Sequence, residues 1–147
     1  MNREIKFRGM RKKDGSWIYG SLCRQKDLLV GDETVCVFPP ESYDSYDNYV
    51  VNEDTVGQYT GLKDKNGVEI YEGDIIMSNA STGEPIYHDI VYNEEQAAFY
   101  SGLDGRRDAS FGICSVYQQW INEFGKVVVG NIHDNPELLK GNNHEWT

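Results

Sequence analysis

Glu72 and Asp74 flank Gly73, and a His88-Asp89 pair follows further along the chain. These are residue types that bind divalent cations, and a metal-dependent hydrolase would use such a set to polarise its substrate and to activate bound water. On a strand, the spacing of Glu72 and Asp74 puts both carboxylates on one face. Beside Gly73, the same pair is equally suited to closing a turn. Zinc is a second chemistry to test, because the chain holds three histidines and three cysteines. Structural zinc draws its four ligands from closely spaced pairs. Cys23, Cys36, Cys114, His88, His133 and His144 contain no such pair, so only a site assembled by folding, such as Cys36, Cys114 and one histidine, would serve. Nucleophilic catalysis needs Ser or Cys against a base and an orienting carboxylate. No G-x-S-x-G elbow is present, and acidic neighbours such as Glu94-Glu95 are easily found among 24 acidic residues. The glycine loop Gly57-Gln58-Tyr59-Thr60-Gly61 lacks the Gly-Lys-Ser/Thr ending of a P-loop, and no G-x-G-x-x-G opens a helix. These readings assign no catalytic residue, no metal ligand and no cofactor.

Binding chemistry is the next class. The chain of 147 residues has a formal charge of −10, unevenly distributed. Arg3, Lys6, Arg8, Arg11, Lys12 and Lys13 oppose only Glu4 at the N-terminus, a local +5 that leaves −15 on the rest. An acidic surface of that size repels phosphate backbones and anionic membranes. Lys6, Arg8, Arg11, Lys12 and Lys13 are the candidates for phosphate contact or for pairing with an acidic subunit face. Tyr43, Tyr46 and Tyr49, in the acidic run Glu41–Tyr49, are candidate interface anchors, since tyrosine suits a boundary that is apolar on one side and wet on the other.

The elements that must position these residues read mostly as strands. Ile5 and Phe7 alternate with charged residues, Asp14-Gly15 suits a turn, and Trp17–Leu22 returns as the second strand of a hairpin. Thr34–Phe38 is a β-branched and aromatic run stopped by Pro39-Pro40. Thr55–Thr60 is strand-like, Asn66-Gly67 is the strongest hairpin signal in the chain, and strands are expected at Asp74–Met77, Ile86–Tyr92, Ala97–Tyr100 and Lys126–Ile132. One segment differs: Ile113, Val116, Tyr117, Trp120, Ile121 and Phe124 mark one face of a helix, with Ser110 as its N-cap and Gly125 after its C-terminus. Asn135-Pro136-Glu137-Leu138-Leu139 predicts a single capped helical turn before Gly141.

Four stretches, Ile5–Arg8, Trp17–Leu22, Thr55–Ile76 and Gly130–Leu139, resemble the YopX family of small phage and prophage proteins. The central stretch, over twenty residues long, is the most specific. Segments 23–54 and 77–129 are similar only loosely. Where members often read Ala-Trp-Asp, this chain has Gly9-Met10-Arg11. The resemblance implies a mainly β, cytoplasmic, phage-related protein and brings no catalytic residues with it.

The fold expected is mainly β, a β-rich α+β domain. An N-terminal hairpin region leads into a small, partly open SH3-like barrel from near Gly73, with one amphipathic helix near 113–124. Residues 1–147 would form a single compact unit with a subdivision into 1–60 and 61–147. A chain of this size buries roughly 70% of its surface on folding. An odd number of unpaired cysteines fits a reducing compartment, and no secretory leader or long apolar run is evident, so a cytoplasmic location in a bacterial host is expected. The leading expectation for function is a non-enzymatic, oligomer-forming interaction module that pairs with itself or with a host or phage protein and not with a membrane. The alternative is a nucleic-acid-binding or regulatory protein using the basic strand. The third is a metal-dependent hydrolase.

Overall fold

The structure is a computed structural model that describes residues 1–26, 28–79, 82–103 and 114–140. The chain divides into two units, Met1–Tyr59 and Thr60–Thr147. Both are built chiefly of antiparallel strands, the β-rich α+β class expected from the sequence.

In the first unit, Phe7–Arg11 (β1), Trp17–Lys26 (β2), Glu33–Phe38 (β3) and the start of Val51–Lys63 (β4) lie in the order β3-β2-β1-β4. The Asp14-Gly15 turn forms as its residues dictate: Asp14 Oδ1 accepts from the Ser16 backbone N–H at 3.0 Å and from its hydroxyl at 2.7 Å. β2 is shared along its length. Its first half pairs with β1, from Met10↔Trp17 to Phe7↔Gly20, and its second half pairs with β3, from Ser21↔Phe38 to Lys26↔Glu33. The sheet curls until Cys36 bridges Val50, just ahead of β4, and the Val37 N–H donates to the Tyr49 carbonyl at 3.0 Å. Ile18, Val35, Cys36, Val37, Tyr49 and Val51 form the core inside that curl. Between β1 and β4 the register breaks, and Glu53–Val56 spans the single residue Gly9. The Thr55 hydroxyl repairs the gap by accepting from the Met10 N–H at 2.8 Å and donating to the Asn52 carbonyl at 2.6 Å.

In the second unit, Glu69–Tyr71 (β5) lies beside the far end of β4. Asp74–Asn79 (β6), Pro85–Asn93 (β7), Ala98–Leu103 (β8), Cys114–Ser115 (β9) and Val127–Asn131 (β10) form a second antiparallel sheet in the order β10-β6-β7-β8-β9. It is an open sheet, with no closed barrel among the described residues. Two short helices accompany it, Gln118–Glu123 (α1) and Glu137–Lys140 (α2). Trp120 and Ile121 of α1 pack with Ile70, Ile76 and Ile90 to make the core of this unit.

The helix is shorter than the apolar spacing predicts. Tyr117 is extended (φ −142°, ψ 155°) and α1 begins only at Gln118. The reason is the neighbouring ladder. The Val116 N–H donates to the Phe99 carbonyl at 3.1 Å, so Val116 keeps its apolar contact while its backbone continues the line of β9. Ser110 and Ile113 lie outside the described residues. The other end matches the expectation: Gly125 has φ +58°, Lys126 N donates to the Ile121 carbonyl at 3.0 Å and Gly125 N to the Asn122 carbonyl at 3.4 Å. That pair of bonds is a Schellman cap, which requires a left-handed residue at Gly125.

At the β4–β5 hairpin only Gly67 of the Asn66-Gly67 pair has positive φ, at +83°. The turn closes from Gly67 N to the Asp64 carbonyl at 3.0 Å and from Asp64 N to the Val68 carbonyl at 2.7 Å. Space beside Gly67 is open to 4 Å, so a substitution there acts through backbone conformation alone. Gly67→Val is therefore expected to destabilise the protein by about 1–2 kcal/mol, read as a lower midpoint in thermal or urea unfolding. An unchanged midpoint would contradict the turn geometry. No helix among the described residues is long and apolar enough to cross a membrane.

Candidate functional site

The basic N-terminal strand is largely tied into its own unit. Lys6 pairs with Glu4 at 3.2 Å and lies 4.9 Å from the centre of the Tyr59 ring. Arg8 is buried, 6% exposed, with its guanidinium 4.8 Å from the Trp17 ring centre. The register explains this: Arg8 stands opposite Tyr19 and Met10 opposite Trp17, so Arg8 and Trp17 share the face turned away from the Ile18 core, where an aromatic surface can hold a cation. Arg11 contacts Ser16 at 3.4 Å and Asp14 at 4.0 Å. Lys13 donates to Asn48 Oδ1 at 3.1 Å. Lys12 has an exposed side chain. The row of five cations expected from the sequence is thus reduced at the surface, with Arg8 taking a packing role.

The three tyrosines separate in the same way. Tyr43 is 92% exposed and Tyr46 42%. Tyr49 is buried, its ring centre 5.0 Å from that of Phe38 and its hydroxyl accepting from Asp44 N at 2.7 Å. It belongs to the core of the first unit. A hydrogen bond to Cys36, with burial and the nearby thiols adding to it, pushes the Tyr46 phenol up to about 12.

A surface feature that composition alone did not reveal lies at the end of the β2–β3 ribbon. Leu28, Leu29 and Val30 are 93%, 96% and 67% exposed in the turn between the two strands. Single exposed aliphatic residues are ordinary, whereas three in succession at a hairpin tip form a small apolar patch. Behind it, Arg24 bridges Glu33 at 3.1 Å and also pairs with Glu53. These exposed pairs orient the ribbon more than they stabilise it.

The second unit carries a buried polar cluster. Lys126 and Ser78 are each 6% exposed. The ammonium donates to Ser78 Oγ at 2.6 Å and sits 4.3 Å from the Trp120 ring centre. A serine–lysine pair is a known nucleophilic arrangement. Here the hydroxyl and the indole enclose the cation instead of presenting the serine to solvent, and the arrangement anchors α1 to the sheet. His88, opposite Ile76 on β6, meets the Trp120 ring edge-on at 6.5 Å. Its Nδ1 is buried without a hydrogen-bond partner. Burial first, and then the charge of Lys126, push the His88 imidazole down to about 4.

The four groups named for divalent-metal chemistry do not converge. His88 and Asp89 are consecutive on β7 and so project from opposite faces of the sheet. Asp74 is 2% exposed and accepts from Tyr71 N at 2.7 Å, which makes it the carboxylate that closes the turn around Glu72-Gly73. No group of three or more His, Cys, Asp or Glu among the described residues is placed to hold a metal ion. The side chain of Cys114 and all of His144 lie outside the described residues.

Asp64, at the start of the Lys65-Asn66-Gly67 turn, was not singled out by sequence reasoning. It is 5% exposed. Oδ1 accepts from Asn66 N at 2.8 Å and Val68 N at 2.9 Å, and Oδ2 accepts from Val128 N at 2.9 Å. Asp at the first position of a turn is a readable local signal. Its reach to Val128 on β10 is not.

The comparisons accord with this frame. No curated protein matches the chain. Protein EF1440 from Enterococcus faecalis, known from a crystal structure, is similar with a TM-score of 0.54 and 27% identity, over 94% of this chain and 99% of that one. The family model described as YopX protein matches residues 6–140, which include the Asp64 turn, the β2–β3 ribbon and the Gly130–Leu139 segment. The chain belongs to the YopX family.

Proposed function

We propose that this protein is a non-enzymatic interaction module of phage or prophage biology that works as a homo-oligomer. The apolar tip of the β2–β3 ribbon carries this reading, because Leu28 and Leu29 are almost fully exposed. Burying an aliphatic side chain contributes about 1.5–3 kcal/mol, so the tip gives a gross gain of several kcal/mol. Association itself costs about 4–15 kcal/mol. The tip alone thus supports a weak contact, and further surface must join it. Charge helps to select that surface. Through Tyr59 the chain has eight basic and ten acidic residues, and beyond it six and fourteen. The first unit is therefore the less repelled partner for the acidic second unit of another copy, and the contact is expected to weaken with salt.

Light scattering and sedimentation across a micromolar concentration series, at low and moderate salt, test the reading. The parent chain is expected to associate, and the double variant Leu28→Asp/Leu29→Asp to be monomeric with an unchanged melting temperature, since neither side chain is packed in the fold. A strictly monomeric parent under all these conditions would remove the oligomer reading.

A further inference from the structure

We propose that Cys23 and Cys36 are a redox-modification site that closes reversibly to a cross-strand disulfide on reaction with a low-molecular-weight disulfide. The sequence separates these residues and suggests no pairing, but the register does. β2 and β3 pair without a shift from Ser21↔Phe38 to Lys26↔Glu33, and Cys23 stands directly opposite Cys36. Directly opposed residues in an antiparallel pair project from the same face. Their Cα atoms lie about 4.5 or 5.5 Å apart, according to whether the pair is hydrogen-bonded. Both values fall within the roughly 4.4–6.8 Å that a disulfide accepts. The ribbon therefore holds the two thiols where a bridge needs no change of register.

A second observation is independent of register. Cys36 first, and Thr34 and Cys23 after it, bear on the titration of the Tyr46 phenol. Tyr46 thus lies over the cysteine-bearing face of the ribbon, and the two sulfurs share one environment. Their exposure differs in a useful way: Cys36 is fully buried and Cys23 is half-buried. That asymmetry assigns an order to the steps. The Cys23 thiolate attacks one sulfur of the small disulfide, forming a mixed disulfide and releasing one equivalent of small thiolate. Cys36, giving up its proton to solvent or to that thiolate, then attacks the Cys23 sulfur and displaces the second equivalent. Two protein thiols are oxidised and one small disulfide is reduced to two thiols, so atoms and electrons balance. The bridge closes the ribbon behind its Leu28-Leu29-Val30 tip. This proposal does not depend on the oligomer reading.

The test treats the folded full-length chain with oxidised glutathione, blocks remaining thiols, and maps peptides without reduction by mass spectrometry. The expected result is a Cys23–Cys36 linked peptide that forms in the Cys114→Ser variant, is absent from Cys23→Ser, and disappears on reduction. Oxidation is also expected to raise the melting temperature of the parent by several degrees and to leave that of Cys23→Ser unchanged. The same treatment in concentrated urea supplies the comparison, because the unfolded chain pairs its three cysteines without guidance from the ladder. Linkage of Cys23 mainly to Cys114, a stable glutathione adduct on Cys23 without bridge formation, or a native yield no higher than that in urea would each overturn the proposal.

Discussion

Asp64→Ala is expected to destabilise the second unit by about 3–5 kcal/mol, a large part of the stability of an ordinary domain. The substitution leaves the backbone N–H groups of Asn66, Val68 and Val128 without their acceptor. Hydrogen bonds to a charged group contribute about 1.5–3 kcal/mol each, and water recovers part of that only at the exposed Asn66 and Val68. The effect also crosses from one element to another. Asp64 shapes the β4–β5 turn through Oδ1 and holds β10 through Oδ2, while Lys65 N adds a bond to the Lys126 carbonyl at 3.0 Å. Asp64→Asn separates these functions. It retains an acceptor for the turn but sets an amide N–H₂ against the Val128 N–H, so roughly half the loss is expected. Urea unfolding of the three proteins measures the series. Equal stability of Asp64→Ala and the parent would show that the turn and β10 are held by other means.

The second large effect is a fall in stability between neutral and mildly acidic pH that disappears in His88→Phe. The folded imidazole titrates at about 4 against an ordinary 6.5, so below 6.5 the unfolded chain takes up a proton that the folded chain refuses. Unfolding is then favoured as pH falls. The loss amounts to about 2 kcal/mol from pH 7 to pH 5 and about 3 kcal/mol by pH 4, where the folded form begins to accept the proton as well. Above about pH 7 both states are neutral at this position and the contribution is flat. Phenylalanine keeps the edge-on contact with Trp120 and removes the titration. Urea midpoints of parent and variant, compared at pH 7 and pH 5, isolate the His88 contribution from carboxylates that titrate lower. A parallel pH dependence in the two proteins would count against it.

Both predictions concern residues whose importance depends on contacts distant in sequence. The local signals were legible. Asp14-Gly15 and Asn66-Gly67 form turns, Pro39-Pro40 follows the end of β3, and Gly125 caps a helix, because in each case a residue's own backbone preferences decide the outcome. The helix start was less legible. Val116 and Tyr117 have helical spacing relative to Trp120 and Ile121, but a hydrogen bond to Phe99 gives Val116 an extended alternative with the same burial. Period alone does not distinguish these states. The metal quartet of the third reading does not assemble, for a simple geometric reason, the alternation of His88 and Asp89 across the sheet.

The sequence by itself determined a β-rich chain, its turn positions, its charge imbalance and its resemblance to the YopX family. Short-range sterics, hydrophobic alternation and composition are properties of neighbouring residues, and they survive without knowledge of the fold. Tertiary structure alone decided which of 24 acidic residues would hold the β4–β5 turn to β10, and that Arg8 would lie against Trp17. It also decided that Cys23 would face Cys36. Strand register and long-range hydrogen bonds are set by packing the whole chain at once, and a one-residue slip moves every side chain to the other face.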